Sequence, residues 1–270
     1  MDRATEVWPI DWQDIYVVSD RRCYVTSADL CNIKHACNTV PKGYREFLTH
    51  FGFGQLDGIH ILRPEHITEL TAFVRESLNE WILNCKDAVC PFYVPESCPR
   101  DAVPLAKTDF GDFYFVSPTD PGTLWYLWRP HDWDSNPSIV PLGFYNPFVH
   151  QTPGEQTVQF GSGDLIFHPY RELFGKGYAF TVSDDTAQAS DTVCRLVDAA
   201  VPALIADKHL IHEYGADIFI RERGAVISIR IHPVDRTYYF SISLDKQEEH
   251  HCGSIMSVFE SAGCTFITGP

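Results

Sequence analysis

The sequence predicts an α+β protein: a mainly antiparallel sheet flanked by helices over residues 1–155, followed by a smaller α+β domain over 156–270. Three observations lead there. Lys42 to Ile67 passes from a short amphipathic helix through a glycine-broken turn to a strand and into a new helix. Leu105 to Trp133 is dense in Phe, Tyr and Trp and is broken by Gly111 and by Pro118 to Gly122, which is the pattern of two or three antiparallel strands. From Ala187 onward, helical spacing gives way to β-branched runs and then returns. A chain of 270 residues is long enough for one large or two modest domains, because single cores stop growing near this size.

Taken in order, the first 40 residues hold a lead-in with Trp8, Ile10 and Trp12, a strand-like Ile15 to Ser19, and a helical segment from Ser27 to His35 with Ser27 or Asp29 as N-cap. Tyr44, Phe47, Leu48 and Phe51 form the apolar face of the next helix, and Gly52, Gly54 and Gly58 break the chain before a strand at Ile59 to Leu62. Pro64 suits the first turn of a helix whose Ile67, Leu70, Val74, Leu78, Trp81 and Ile82 make one stripe, ending near Cys85. A proline-rich connector from Cys90 to Pro104 leads into the aromatic strands. The proline- and glycine-rich stretch from Pro130 to Pro169 then places a domain boundary near 150–160.

In the second half, Val193, Leu196, Val197, Ala200, Val201, Leu204 and Ile205 mark a helix within Ala187 to Asp207, interrupted by Pro202. Strands are expected at Asp217 to Arg221, Ala225 to Ile231 and Thr237 to Leu244. Asp245 is the expected N-cap of a last helix through Phe259, with Cys264 to Ile267 returning as an edge strand. A small sheet with two helices on one face would bury both patterns.

Charge narrows the partners. Asp and Glu outnumber Lys and Arg by 36 to 21, and a net charge of -15 repels phosphate backbones and anionic membranes. The expected macromolecular partner is therefore a basic protein, with no nucleic acid and no membrane. Nowhere do about 18 apolar residues run together, and the acidic N-terminus has no signal-peptide core, so a cytoplasmic location is expected. Nine cysteines without a C-x-x-C pair fit neither a disulfide framework nor a zinc ribbon and are expected as reduced, mostly buried thiols.

Motifs that would carry chemistry are incomplete. Asp109-Phe110-Gly111 spells a kinase metal-binding triplet but lacks the glycine-rich loop, H-R-D and strand lysine; the plainer reading is a strand-end aspartate beside a glycine needed for close backbone approach. Asp132, Asp134 and Asn136 occupy the first, third and fifth places of a calcium loop, yet Pro137 and Gly143 stand where glycine and glutamate are required. His209 with His212, and His250 with His251, have no cysteine or carboxylate at a familiar spacing, so surface histidine is expected and no metal or cofactor is implied. Gly52-x-Gly54 precedes a strand instead of following one, and Gly161-Ser162-Gly163 lacks the spacing of a nucleophile elbow. No catalytic residue follows from the sequence. What remains is a set of carboxylates among aromatics, with Asp109, Asp112, Asp120, Asp132, Trp133 and Asp134 as the candidate partner-binding residues and a charged hairpin edge as the bland alternative.

The succession Pro41-x-x-Tyr44-x-x-Phe47-Leu48, Gly52-x-Gly54-x-x-x-Gly58-Ile59, Pro64-x-x-Ile67 and Leu105-Ala106-x-x-Asp109-x-Gly111-Asp112 resembles the SUKH superfamily over residues 10–150. That superfamily includes fungal cell-wall-synthesis regulators and bacterial immunity proteins that neutralise polymorphic toxins. The resemblance implies an α+β fold and non-enzymatic protein binding, here of a cognate toxin. The chain departs from the pattern in having Phe110-Gly111 where two glycines often precede the aspartate, and in carrying residues 160–270, which many members lack. A regulatory scaffold is the competing binding function. An enzyme with a site between the halves, using a carboxylate with His131 or His168, is the alternative from another class.

Overall fold

The computed structural model describes residues 8–9, 15–41, 43–56, 58–84, 98–128, 138–143, 150–151, 165–182, 189–232 and 237–267. The protein is α+β, and the chain divides into two compact units: Met1–Tyr16 with Cys23–Phe167, and Val17–Arg22 with His168–Pro270. The boundary expected near 150–160 falls largely on 152–164, outside the described residues.

In the first unit, β1 (Trp8–Pro9) pairs with β9 (His150–Gln151). The other sheet has the order β2 (Tyr16–Val17), β10 (Ile166–Pro169), β3 (Gly54–Leu56), β4 (Ile59–Ile61), β5 (Val103–Thr108), β6 (Phe113–Val116), β7 (Leu124–Trp128) and β8 (Ser138–Gly143); the division between the units falls within β2 and β10, and β3 to β8 belong wholly to the first. The run from β3 to β8 is antiparallel throughout. Helix α1 (Ser27–Cys37) is capped by Thr26 and not by Ser27 or Asp29; Asp29 sits at N3, where its carboxylate returns to the Thr26 backbone N–H to complete a capping box. Helix α2 (Tyr44–Phe51) buries all four residues of its predicted face. Gly52 ends it at φ +79, where a Cβ would lie 2.3 Å from the Cys23 carbonyl oxygen, so only glycine fits both the turn and the approach. Helix α3 (Pro64–Asn84) supplies Val74 and Leu78 to a core of Phe113, Phe115, Trp125 and Leu127, which places the aromatic strands against its stripe.

The second unit is a six-stranded antiparallel sheet, ordered β12 (Lys208–His212), β13 (Gly215–Ile220), β14 (Ala225–Ile231), β15 (Tyr238–Asp245), β11 (Leu173–Val182) and β16 (Cys264–Ile267). Alternation along β14 and β15 sends Ile227, Ile229, Phe240 and Ile242 inward, where they meet Leu196, Val197 and Ala200 of α4 (Ala189–Leu204) and Ile255 and Phe259 of α5 (Cys252–Ser261). Two helices thus cover one sheet face. Pro202 lies in the last turn of α4, which closes at once with Ile205 at φ +54. Asp245 does not cap the last helix: a 3-10 segment, Lys246–His251, intervenes before α5, and the Asp245 side chain makes no capping bond.

The described cysteines are free; Cys37, Cys252 and Cys264 are buried, whereas Cys31 is exposed. Burial pushes the Cys37 thiol up to about 12, as expected of an inert core sulfur. Among the described residues, no helix is long and apolar enough to cross a membrane.

Candidate functional site

The turn joining β5 to β6 carries two of the carboxylates singled out by sequence, and the fold treats them oppositely. Gly111 takes φ +89 with open space where a Cβ would stand, so backbone conformation and not close approach demands glycine there. The turn projects Asp109 and Phe110 outward: Phe110 is 73% exposed. Gln55 and His60 oppose each other across β3 and β4 and therefore share a face, from which both reach the Asp109 carboxylate. The Gln55 Nε2 donates to Oδ2 at 3.2 Å, while Oδ1 pairs closely with the His60 imidazole. Asp109 is thus an exposed anion held in one orientation beside an exposed ring.

Asp112, three residues on, is buried. Its Oδ2 accepts from the Tyr126 hydroxyl at 2.8 Å and from the Thr108 hydroxyl at 3.1 Å. Burial, reinforced by the hydrogen bond to Asp112 and its charge, drives the Tyr126 phenol well above its ordinary pKa. The adjacent Tyr114 ring, 4.8 Å away, is shifted the same way, again chiefly by burial. This carboxylate ties β5, β6 and β7 together inside the unit. Asp120 lies at the far end of β6, where its carboxylate accepts from the Thr123 hydroxyl at 2.8 Å within the next turn. Asp109 and Asp120 therefore flank opposite ends of one strand and do not converge. Asp132, Trp133 and Asp134 lie outside the described residues, as does His131. Trp125 is a core residue, 4% exposed.

In the second unit, Asp217 accepts from both sides of its strand. Ser228, directly opposite in register, donates at 2.5 Å, Arg230 donates to both carboxylate oxygens at 2.8 Å, and His212 lies at 2.9 Å. Burial raises this carboxyl, but these three partners outweigh it and hold the pKa below its ordinary value. Because Ser228 bonds the acid and not a histidine, the order needed to activate a hydroxyl nucleophile is absent from this group. Beside it, Gly177, which has no side chain, and the small side chains of Ala179, Ser228 and Ser241 leave an open depression of about 350 Å³ on the sheet, edged by Arg230 and Tyr239.

No family model, curated protein or solved structure matches this chain. Its chemistry must therefore be read from its own side chains.

Two further groups in the second unit carry charge. Asp245 is 3% exposed at its side chain and accepts from Arg171 Nε and, at 2.9 Å, from the Ser19 hydroxyl; Arg21 lies 3.4 Å away. Arg171 also donates to the Pro169 and Gly224 carbonyls, so its guanidinium is almost fully used. The other group is Glu248, His250 and His251, whose ligand atoms all lie within 4.8 Å of one another. Glu248 stands three residues before His251 in a Glu-Glu-His-His run, a spacing that reading the two histidines as a bare pair misses, and the 3-10 turn brings the two side chains together.

Proposed function

We propose that this chain is a protein-binding protein that engages a basic partner through the Asp109–Phe110 tip of its first unit, and that the partner is a toxin it neutralises as an immunity protein. The observation that carries the reading is the tip itself. A phenylalanine exposed to 73% beside an exposed aspartate, preset by Gln55 and His60, offers an aromatic anchor with an oriented anion at its edge. Aromatic anchors concentrate binding energy, and a carboxylate held before encounter loses less freedom on binding. The net charge of -15 adds long-range attraction to a basic cleft such as that of a nuclease, and raises the association rate. The residues on which the resemblance to SUKH immunity proteins rests include this same turn, from Leu105 to Asp112.

The test is capture of partners by the tagged protein at low and high salt, run in parallel with Phe110→Ala, Asp109→Asn and, as a control at the other end of β6, Asp120→Asn. A basic toxic protein should be retained by the wild type and by Asp120→Asn and held more weakly at high salt. Phe110→Ala should weaken it by about 2 kcal/mol, roughly thirtyfold. Equal retention by Phe110→Ala and the wild type would sink the proposal.

A further inference from the structure

The 3-10 segment Lys246–His251 repeats every three residues, so Glu248 and His251 stand one above the other on the same side. Glu248 Oε2 and His251 Nε2 are 3.4 Å apart. Two ligands about 2.1 Å from a common ion at the tetrahedral angle are separated by roughly that distance. His250 lies alongside, exposed, with its ring centroid 4.1 Å from that of His251 and a ring nitrogen within 4.8 Å of the other two ligand atoms. The remaining oxygen of Glu248, Oε1, accepts from Arg21 Nη2 at 2.8 Å, which fixes the carboxylate with Oε2 facing the imidazoles. A partner that bonds the far side of a ligating carboxylate in this way is what orients metal ligands in established sites. Arg21 places its positive charge nearby, but it shares that charge with buried Asp245 through Nη1.

We propose that Glu248, His250 and His251 form a surface site for a late first-row divalent cation, zinc foremost, with Arg21 as the residue that positions Glu248. Two imidazoles and one carboxylate match the nitrogen and oxygen preferences of zinc and its neighbours and disfavour calcium and magnesium, which seek oxygen alone. The three ligands leave a fourth position to water. The site lies wholly in the second unit and is independent of the partner-binding tip in the first.

The experiment is titration of the untagged full chain with zinc chloride by calorimetry, and with cobalt(II) by visible absorption. Expected are one equivalent of either metal, tetrahedral cobalt bands, and no comparable response to magnesium. His251→Ala and Glu248→Gln should each lower zinc affinity roughly tenfold or more, and Arg21→Ala should lower it within the 10–100-fold range of outer-sphere partners. His209→Ala, on β12, should change nothing. His250→Ala should also weaken binding and, being exposed and so harmless to folding, guards against loss of structure as the explanation. Failure to bind an equivalent of zinc, or equal binding by the wild type and both His250→Ala and His251→Ala, overturns the assignment.

Discussion

Replacing Asp245 by asparagine keeps the side chain's size and removes its charge. The carboxylate faces Arg171, whose side chain is only 7% exposed, and both are cut off from water. Burial already lowers the Arg171 pKa, with Asp245 opposing that shift, so the guanidinium depends on this counter-ion. Its hydrogen bonds to the Pro169 and Gly224 carbonyls, at 3.1 and 2.9 Å, survive the substitution but supply no net negative charge. Removing one member of a buried pair costs about 3–5 kcal/mol, because the other is left desolvated. With a urea slope of about 2 kcal/mol per molar, the second unit's midpoint should fall by about 2 M. The measurement needs a probe for that unit alone, since all six tryptophans lie in the sequence of the first. Hydrogen exchange in β14 and β15 meets the need. Arg171→Met with Asp245→Leu should recover most of the loss, since an apolar pair of similar volume removes both desolvation penalties. A cost below about 1 kcal/mol for Asp245→Asn, or strict additivity with Arg171→Met, would refute the reasoning.

Three further outcomes are expected. Tyr126→Phe removes one donor from buried Asp112 and should cost about 1.5–3 kcal/mol, read from tryptophan fluorescence during urea unfolding of the first unit; a change under about 0.5 kcal/mol would contradict it. Gly224→Ala places a Cβ 2.3 Å from the Asp245 carboxyl carbon at φ +55 and should lower the second unit's stability by about 3 kcal/mol, whereas an unchanged exchange pattern would mean the loop yields freely. Burial, with the nearby Arg171 charge, lowers the His168 pKa to about 4 against partial opposition from Asp217. Since the unfolded imidazole titrates near 6.5, the unfolded chain binds more protons between these values. Stability is therefore complete above about pH 6.5 and falls by about 3 kcal/mol as pH drops to about 4. His168→Gln should flatten that part of the profile, and an equally steep profile in the variant would exclude His168 as its source.

Elements with a clear period are legible in the sequence. The stripes of α2, α3 and α4 and the alternation of β14 and β15 all follow from where apolar side chains must go. β11 is not legible, although it is the longest of the described strands. Its Gly175, Lys176 and Gly177 have low strand propensity, and it is a strand because β15 and β16 pair with it on both sides. β8 contains Pro141 and has the composition of a linker, yet it pairs with β7. Asp245 has the look of a cap because caps are local, whereas its partners Ser19 and Arg21 are more than two hundred residues away. Within the candidate tip, spacing alone makes Asp109 and Asp112 equivalent. The turn at Gly111 separates them, one into solvent and one onto Tyr126, and no pattern of types reveals which is which.

The six residues Val17–Arg22 belong to a unit whose other residues begin only at His168. During synthesis they leave the ribosome early and wait. Ser19 and Asp245 are 226 residues apart, which at about 5–20 residues per second is a delay of roughly 10–45 s. Val18, in the same segment, is fully buried in the finished protein. The first unit has all its residues by Phe167 and can fold while translation continues; the second cannot close until Asp245 and the strands around it have been made. A nascent chain stalled before Asp245 would hold a folded head, an unfinished tail and an early segment still awaiting its place, and this is the interval in which a chaperone has most to protect.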